Sequence, residues 1–247
     1  MSQFLRRSAV LTCGAGLVLG LVACQPKGDI QTGGASPAAT ASASSSPSPR
    51  KSTGTEGLPN GAQLAAMLLP AEALPTLKLN PDSVRSTGTG FNPPISPTAV
   101  PQDQVCKAFD GSAWSNVAGY SYASFAQNDY TDESQDMFAQ ELETYRGDDA
   151  RVVMGKLREA LTACHGYVSE QDGVKHKVTI ELKELPGVGD EAVQAVRTAP
   201  TWTGGATLVA ARVGSVVVTT YYNDQRNTGS AGIDLTKALV KNVTAAR

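Results

Sequence analysis

The sequence predicts an α+β domain: a sheet of about five strands with helices packed on it, preceded by a disordered tether. Three observations carry this. Residues 148–163 and 233–245 place apolar side chains at spacings of three and four, as helices with one buried stripe do. Several shorter stretches alternate apolar with polar residues, as half-buried strands do. Residues 25–57 are mostly Ser, Ala, Thr, Pro and Gly, with Ile30 as the one large apolar residue, too little apolar surface to offset the entropy of ordering.

Taken in order, the folded part opens at Leu58. Asn60 is placed to cap a short helix in which Leu64, Met67 and Leu68 recur until Pro70 stops it, and a second turn over 71–74 ends at Pro75. Residues 76–104 are rich in Pro, Gly, Thr and Ser and read as an extended loop lying across the domain. Residues 117–127 alternate as a strand with Tyr120 and Tyr122 on one face. Residues 136–145 fit either period; the strand reading is preferred because Gly147-Asp148-Asp149 looks like a turn and cap before the next helix. That helix sets Ala150, Val153, Met154, Leu157, Leu161 and Cys164 on one stripe, with Asp148 and Asp149 capping its positive end and Gly166 closing it. Residues 177–185 form a strand, 186–190 a turn, and 192–197 a helical turn. Residues 207–213 and 216–222 flank Gly214-Ser215 as a β-hairpin, and Leu235, Leu239 and Val243 mark the last helix. Both long helices are expected on one face of the sheet, leaving the other for the proline-rich loop or a ligand.

The N-terminus says where the protein works. Arg6 and Arg7 precede an apolar run over residues 9–21, long enough for a signal-peptide core and too short for a permanent membrane span. The run ends in Leu21-Val22-Ala23-Cys24, which resembles the bacterial lipobox. That resemblance implies cleavage after residue 23, diacylglycerol on the Cys24 thiol with acyl chains such as palmitate, and a lipid-anchored protein on the extracytoplasmic face of the cell membrane. Residues 1–23 are then the signal peptide, 24–57 the tether, and 58–247 a single domain. The core of the tether has a random-coil reach of roughly 30 Å, which holds the domain clear of the bilayer.

A formal net charge of −2 with mixed-sign residues argues against a nucleic-acid partner. Of the four cysteines, Cys13 lies in the signal and Cys24 carries lipid, so Cys106 and Cys164 are the thiols left in an oxidising compartment and are expected to form one disulfide. Together with His165 and His176 they show no metal-ligand spacing, and no metal or cofactor is expected.

Motifs for chemistry are weak. Gly187-Val188-Gly189-Asp190-Glu191-Ala192 follows a strand like a dinucleotide fingerprint, but two acids stand where a pyrophosphate must bind. Ser230 in Gly229-Ser230-Ala231-Gly232 is one place too early for a nucleophile elbow. His165 reads as binding the last carbonyls of its helix and His176 as exposed; Glu141, Glu143, Glu181 and Glu184 read as solvated strand faces. Tyr120, Tyr122, Tyr221 and Tyr222 are the candidate ligand contacts, since aromatic walls with hydroxyls suit a glycan or a small apolar ligand. As plain core and cross-strand pairs they would matter only to stability.

From Leu58 onward the chain resembles the PknH-like extracellular sensor domain of mycobacterial receptor kinases and actinobacterial lipoproteins. The residues that carry this are residues 64–74, Cys106, the strand 136–145, Leu161-Thr162-Ala163-Cys164, the stretch 185–192 beginning Leu185-Pro186-Gly187, and 211–218. The resemblance implies a twisted antiparallel sheet with helices packed against it, a cleft, cystines, and binding of an extracellular ligand. The chain departs from that pattern in having no kinase and one cysteine pair in place of two. The expected function is therefore a non-enzymatic, lipid-anchored binding or sensor-like module for a small molecule, glycan or lipid. The alternatives are a lipid carrier, which needs a large apolar cavity, and an envelope hydrolase, which needs clustered titratable groups in the cleft.

Overall fold

The computed structural model describes residues 54–171 and 173–247. The signal sequence, Cys24 and nearly all of the tether lie outside the described residues.

The domain is α+β, as expected, but its sheet has nine strands rather than about five. Two short strands, β1 (Lys78–Leu79) and β2 (Arg85–Ser86), pair with β3 (Ser124–Thr131). β3 pairs with β4 (Met137–Thr144), and β4 with β9 (Val216–Asp224). From β9 a meander runs back through β8 (Gly205–Val213), β7 (Glu191–Thr198) and β6 (Val174–Glu184) to β5 (Gly166–Gln171) at the far edge. Every pairing is antiparallel.

The central strands are buried on both sides. β8 and β9 send Ala206, Leu208, Ala210, Val217 and Tyr221 to one face and Ala211, Val213, Val216 and Val218 to the other. The expectation that both long helices share a face is therefore wrong. α3 (Asp149–Ala163) covers the first face and α4 (Ala231–Ala245) the second. A strand apolar on both faces needs a cover on each. α4 comes very close to β9: a Cβ on Gly232 would fall 2.7 Å from Tyr222 Cβ. Beside α4, α1 (Gly61–Ala65) starts with the expected cap, a reciprocal box in which Gln63 N–H donates to Asn60 Oδ1 and Asn60 N–H to Gln63 Oε1. Buried Gln140 ties this N-terminal segment to the sheet, accepting from Leu69 N–H and donating to its carbonyl.

Around α3, Asp148 sits at the N-cap position but its side chain makes no capping hydrogen bond. Cys106 and Cys164 are joined, with Cα atoms 5.3 Å apart, so the helix end is clamped to α2 (Gln102–Val105) and the turns that follow it. Those turns, Lys107–Asp110 and Trp114–Ala118, lie over the same face as α3.

Three further element assignments change. The strand expected over 117–127 begins at Ser124; Val117 and Ala118 are in a 3₁₀ turn, and Tyr120 and Tyr122 are in the connection. The helical turn expected over 192–197 is strand β7, because Ala192, Val193 and Ala195 are buried in the middle of the sheet, where tertiary packing overrides the helix preference of Ala, Glu and Gln. The proline-rich loop is not wholly irregular: it pairs with β3 through β1 and β2.

Candidate functional site

A cleft of about 730 Å³ lies at one end of the α3 face. Its walls are the β3–β4 turn with Asp132, Gln135 and Met137, the β7–β8 turn with Thr201, Trp202 and Thr203, and the end of β9 with Asn223 and Asp224. Its floor is Arg197 and Tyr221. Strand register explains the hollow. Met137 pairs with Asn223, Asn223 with Ala206, Ala206 with Arg197, so a single small side chain sits in the middle of the row. Gly204 precedes β8 and Gly205 begins it; a Cβ on the first would fall 1.8 Å from the Asp224 carbonyl oxygen and on the second 2.5 Å from that of Arg197.

Arg197 is 3% exposed and fully engaged on one side. Nη2 faces Asp110 Oδ1 at 3.4 Å, Nη1 donates to the Phe109 carbonyl and, at 3.4 Å, to the Tyr221 hydroxyl. Its Cζ lies 4.9 Å from the centre of the Trp202 ring. Asp110 in turn accepts from the Tyr167 hydroxyl at 2.8 Å and from Ser169 Oγ at 2.9 Å. Burial pushes the Tyr167 and Tyr221 hydroxyls up in pKa, with the Arg197 charge opposing it, so both are neutral; Tyr167 donates to Asp110 and Tyr221 accepts from Arg197. The Arg197 Nε and Trp202 Nε1 hydrogens are buried without a protein partner.

The rim is fixed by carboxylates used as turn acceptors. Asp132 accepts from Ser134 and Asp136 N–H, and Asp224 from Arg226 and Asn227 N–H. Buried Asp136 accepts from Gln225 N–H and pairs with Arg226 at 2.6 Å. Gln135, among the described residues the sole non-glycine with positive φ at 66°, accepts on its backbone carbonyl from Asn223 Nδ2. Such a conformation costs about 1 kcal/mol and persists because the turn around it is over-determined.

The four candidate tyrosines do not share a surface, and this corrects the expectation that they would. Tyr221 and Tyr222 are consecutive in a strand and point to opposite faces. Tyr221 floors the cleft; Tyr222 packs against Phe138, ring centres 6.0 Å apart, in the α4 core. Tyr122 lies on Phe125 at 4.7 Å, and Tyr120 lines a separate groove beside Lys156. Trp202 is among the aromatics that could line a pocket; sequence reasoning missed Arg197 and Asp110. The signal available was an arginine in an otherwise apolar strand. His165 does meet a helix carbonyl, Thr162, at 3.3 Å. His176 is engaged rather than free, with Nδ1 2.7 Å from Thr201 Oγ1 and its ring 5.7 Å from Trp202.

Away from the cleft, Glu141 and Glu143 are not solvated strand faces. They share the α3 side of β4, and Glu143 is 1% exposed. The Tyr145 hydroxyl donates to Glu143 Oε2 at 2.8 Å. Burial pushes Glu141 up to about 7. Burial first, and then the Glu141 charge, holds Glu143 well above the carboxylate range. A small pocket of about 40 Å³ lies over Glu141, lined also by Thr219, Ser112 and Ala113. Among the described residues no group of three or more Asp, Glu, His or Cys side chains could hold a metal ion.

Solved structures similar to the chain include the extracellular domain of PknH from Mycobacterium tuberculosis, at 15% sequence identity and a TM-score of 0.49, with the match covering 72% of this chain and 93% of that one. No family model and no curated protein matches the chain. Among the described residues, no helix is long and apolar enough to cross a membrane.

Proposed function

We propose that this protein is a non-enzymatic binding domain of the extracytoplasmic face, held at the membrane by lipid on Cys24, and that its cleft takes a small polyhydroxylated ligand of the saccharide class. The observation that carries the reading is the cleft's lining. Side-chain amides and hydroxyls of Gln135, Thr201, Thr203 and Asn223 converge around Trp202 and Tyr221, with Arg197 beneath them. Planar polar groups beside an aromatic ring are what a ring of hydroxyls needs. A lipid carrier would need an enclosed apolar cavity, and this cleft is open and polar. A hydrolase would need its perturbed acids in the cleft. Glu141 and Glu143 do not line it, while Asp132 and Asp224 are used in turns.

Tryptophan emission tests this directly. The chain has two tryptophans; Trp202 lines the cleft and Trp114 is fully buried. Titration with a panel of envelope mono- and oligosaccharides should perturb the emission of the wild type and not that of Trp202→Phe. If no saccharide changes either the emission or the melting temperature, the reading fails.

A further inference from the structure

The turns of residues 107–118 touch both unusual polar centres of the α3 face. At one end, the Phe109 carbonyl and the Asp110 carboxylate hold Arg197 in the floor of the cleft. At the other, Ser112 and Ala113 close the small pocket over Glu141. Glu141 lines that pocket and Glu143 lies two residues along the same strand face, and among the described residues no cation pairs with either.

The surroundings of the pair are informative element by element. On β3, Gln127 pairs with Glu141 and Phe125 with Glu143, and Asp129 lines the same pocket with Oδ1 buried and unpartnered. On β9, Thr219 is opposite Glu141 and Val217 opposite Glu143; Thr219 Oγ1 is buried without a protein partner. The flanks of β3 and β4 add Tyr122 and Tyr145, both acids in their own right. α3 brings Ala150, Val153, Met154 and Leu157 to this core, none of them charged. The cations closest along the chain do not pair with them: Arg146 donates from Nη2 to the Asn92 carbonyl while its Nε is buried without a protein partner, Lys156 pairs with Glu159, and Lys107 lies at the exposed start of the cover. Trp114 Nε1 and Ser115 Oγ, in the cover itself, are buried donors without partners. Two neighbouring carboxyls so placed cannot both ionise without a counter-charge or water.

We propose that Glu141 and Glu143 form a proton-dependent latch beneath residues 107–118, shut while the pair retains a proton and released when both carboxyls are ionised. Release frees Phe109 and Asp110 from Arg197, and so remodels the floor of the cleft. The inference rests on the cleft being the binding site, and it makes ligand capture sensitive to the pH outside the cell. The step is a simple acid dissociation: the second proton leaves to solvent, the pair becomes a dianion, and water must enter to hydrate it. The disulfide keeps the start of the cover attached to α3, so the cover swings rather than detaches.

The test needs no ligand, so its outcome is separate from the saccharide titration. Backbone hydrogen exchange of the full chain, corrected for the intrinsic rate, is compared at about pH 5.5 and about pH 8.5. In the wild type, protection of residues 107–118 should fall roughly tenfold or more at the higher pH, with a smaller fall in 197–204, while α4 is unchanged. Glu143→Gln keeps an acceptor for Tyr145 and a donor for Glu141, and should hold its protection at both values. Glu141→Gln, which leaves a single carboxyl and so no dianion, is a second variant with the same expected result should the first not fold. Wild-type protection that does not depend on pH overturns the latch. So does a fall that is the same in either Gln variant, or one spread evenly over α4 and the whole sheet.

Discussion

Asp110 and Arg197 meet at 3.4 Å between a surface turn and the middle of the sheet. The contact joins the cover of the α3 face to the floor of the cleft, and its two partners differ in kind. The guanidinium is almost wholly buried, whereas the Asp110 side chain is 27% exposed and is held by two hydroxyls as well.

Arg197→Met should cost about 3–5 kcal/mol of stability, the usual result of breaking a buried pair from one side. Arg197→Lys should rescue little, because a lysine cannot reproduce the fork that meets Phe109, Asp110 and Tyr221 together. Urea unfolding of the three proteins decides it; a lysine variant as stable as the wild type would contradict the geometry.

Reducing the disulfide should cost about 4 kcal/mol in the chain-entropy picture, given a sequence separation of 58 between Cys106 and Cys164. Alkylation of the denatured, unreduced protein should label neither residue. The loss should appear first as increased exchange in the turns after Cys106, which rely on the bridge for their attachment to α3.

Stability should fall as pH rises through the neutral range. The folded-state pKa values of Glu141, at about 7, and of Glu143 lie above those of a solvated carboxyl. The folded state therefore binds more protons than the unfolded one above the ordinary carboxylate range. Their favourable contribution is complete below that range and is lost as pH climbs through about 7. Thermal melts across this span should show the decline, and Glu143→Gln should flatten it.

Cys24→Ala should leave the chain without acyl groups, either uncleaved or released from the membrane. Detergent-phase partitioning with an acyl label reads this; unchanged acylation of the variant would remove Cys24 as the anchor.

Much of the fold was legible locally. The stripe of α3, the turn at Gly214 between β8 and β9, and the cap at Asn60 each follow from the chemistry of a few neighbouring residues. Gly214 takes a φ of 63°, which the hairpin turn requires and glycine supplies freely. The disulfide followed from a count of thiols once export was inferred. β7 was not legible, because Ala192, Val193, Gln194 and Ala195 carry no strand signature of their own. They are a strand because β6 and β8 supply ladders on both sides. β5 was missed for a related reason: it is a polar edge strand, defined by its pairing with β6.

By itself the sequence determined the helix periodicities, the Asn60 cap, the Gly214 turn and the pairing of Cys106 with Cys164, all set by residues close in the chain or by composition. Sidedness belonged to the tertiary structure. Alternation shows that Tyr221 and Tyr222 face opposite ways, but only the positions of α3 and α4 decide that both faces are covered and which tyrosine meets the cleft. The same holds for Glu143. A carboxyl is solvated or buried according to what lies above it, and Glu143 is buried on the face that carries α3 and the turns after Cys106, both from elsewhere in the chain.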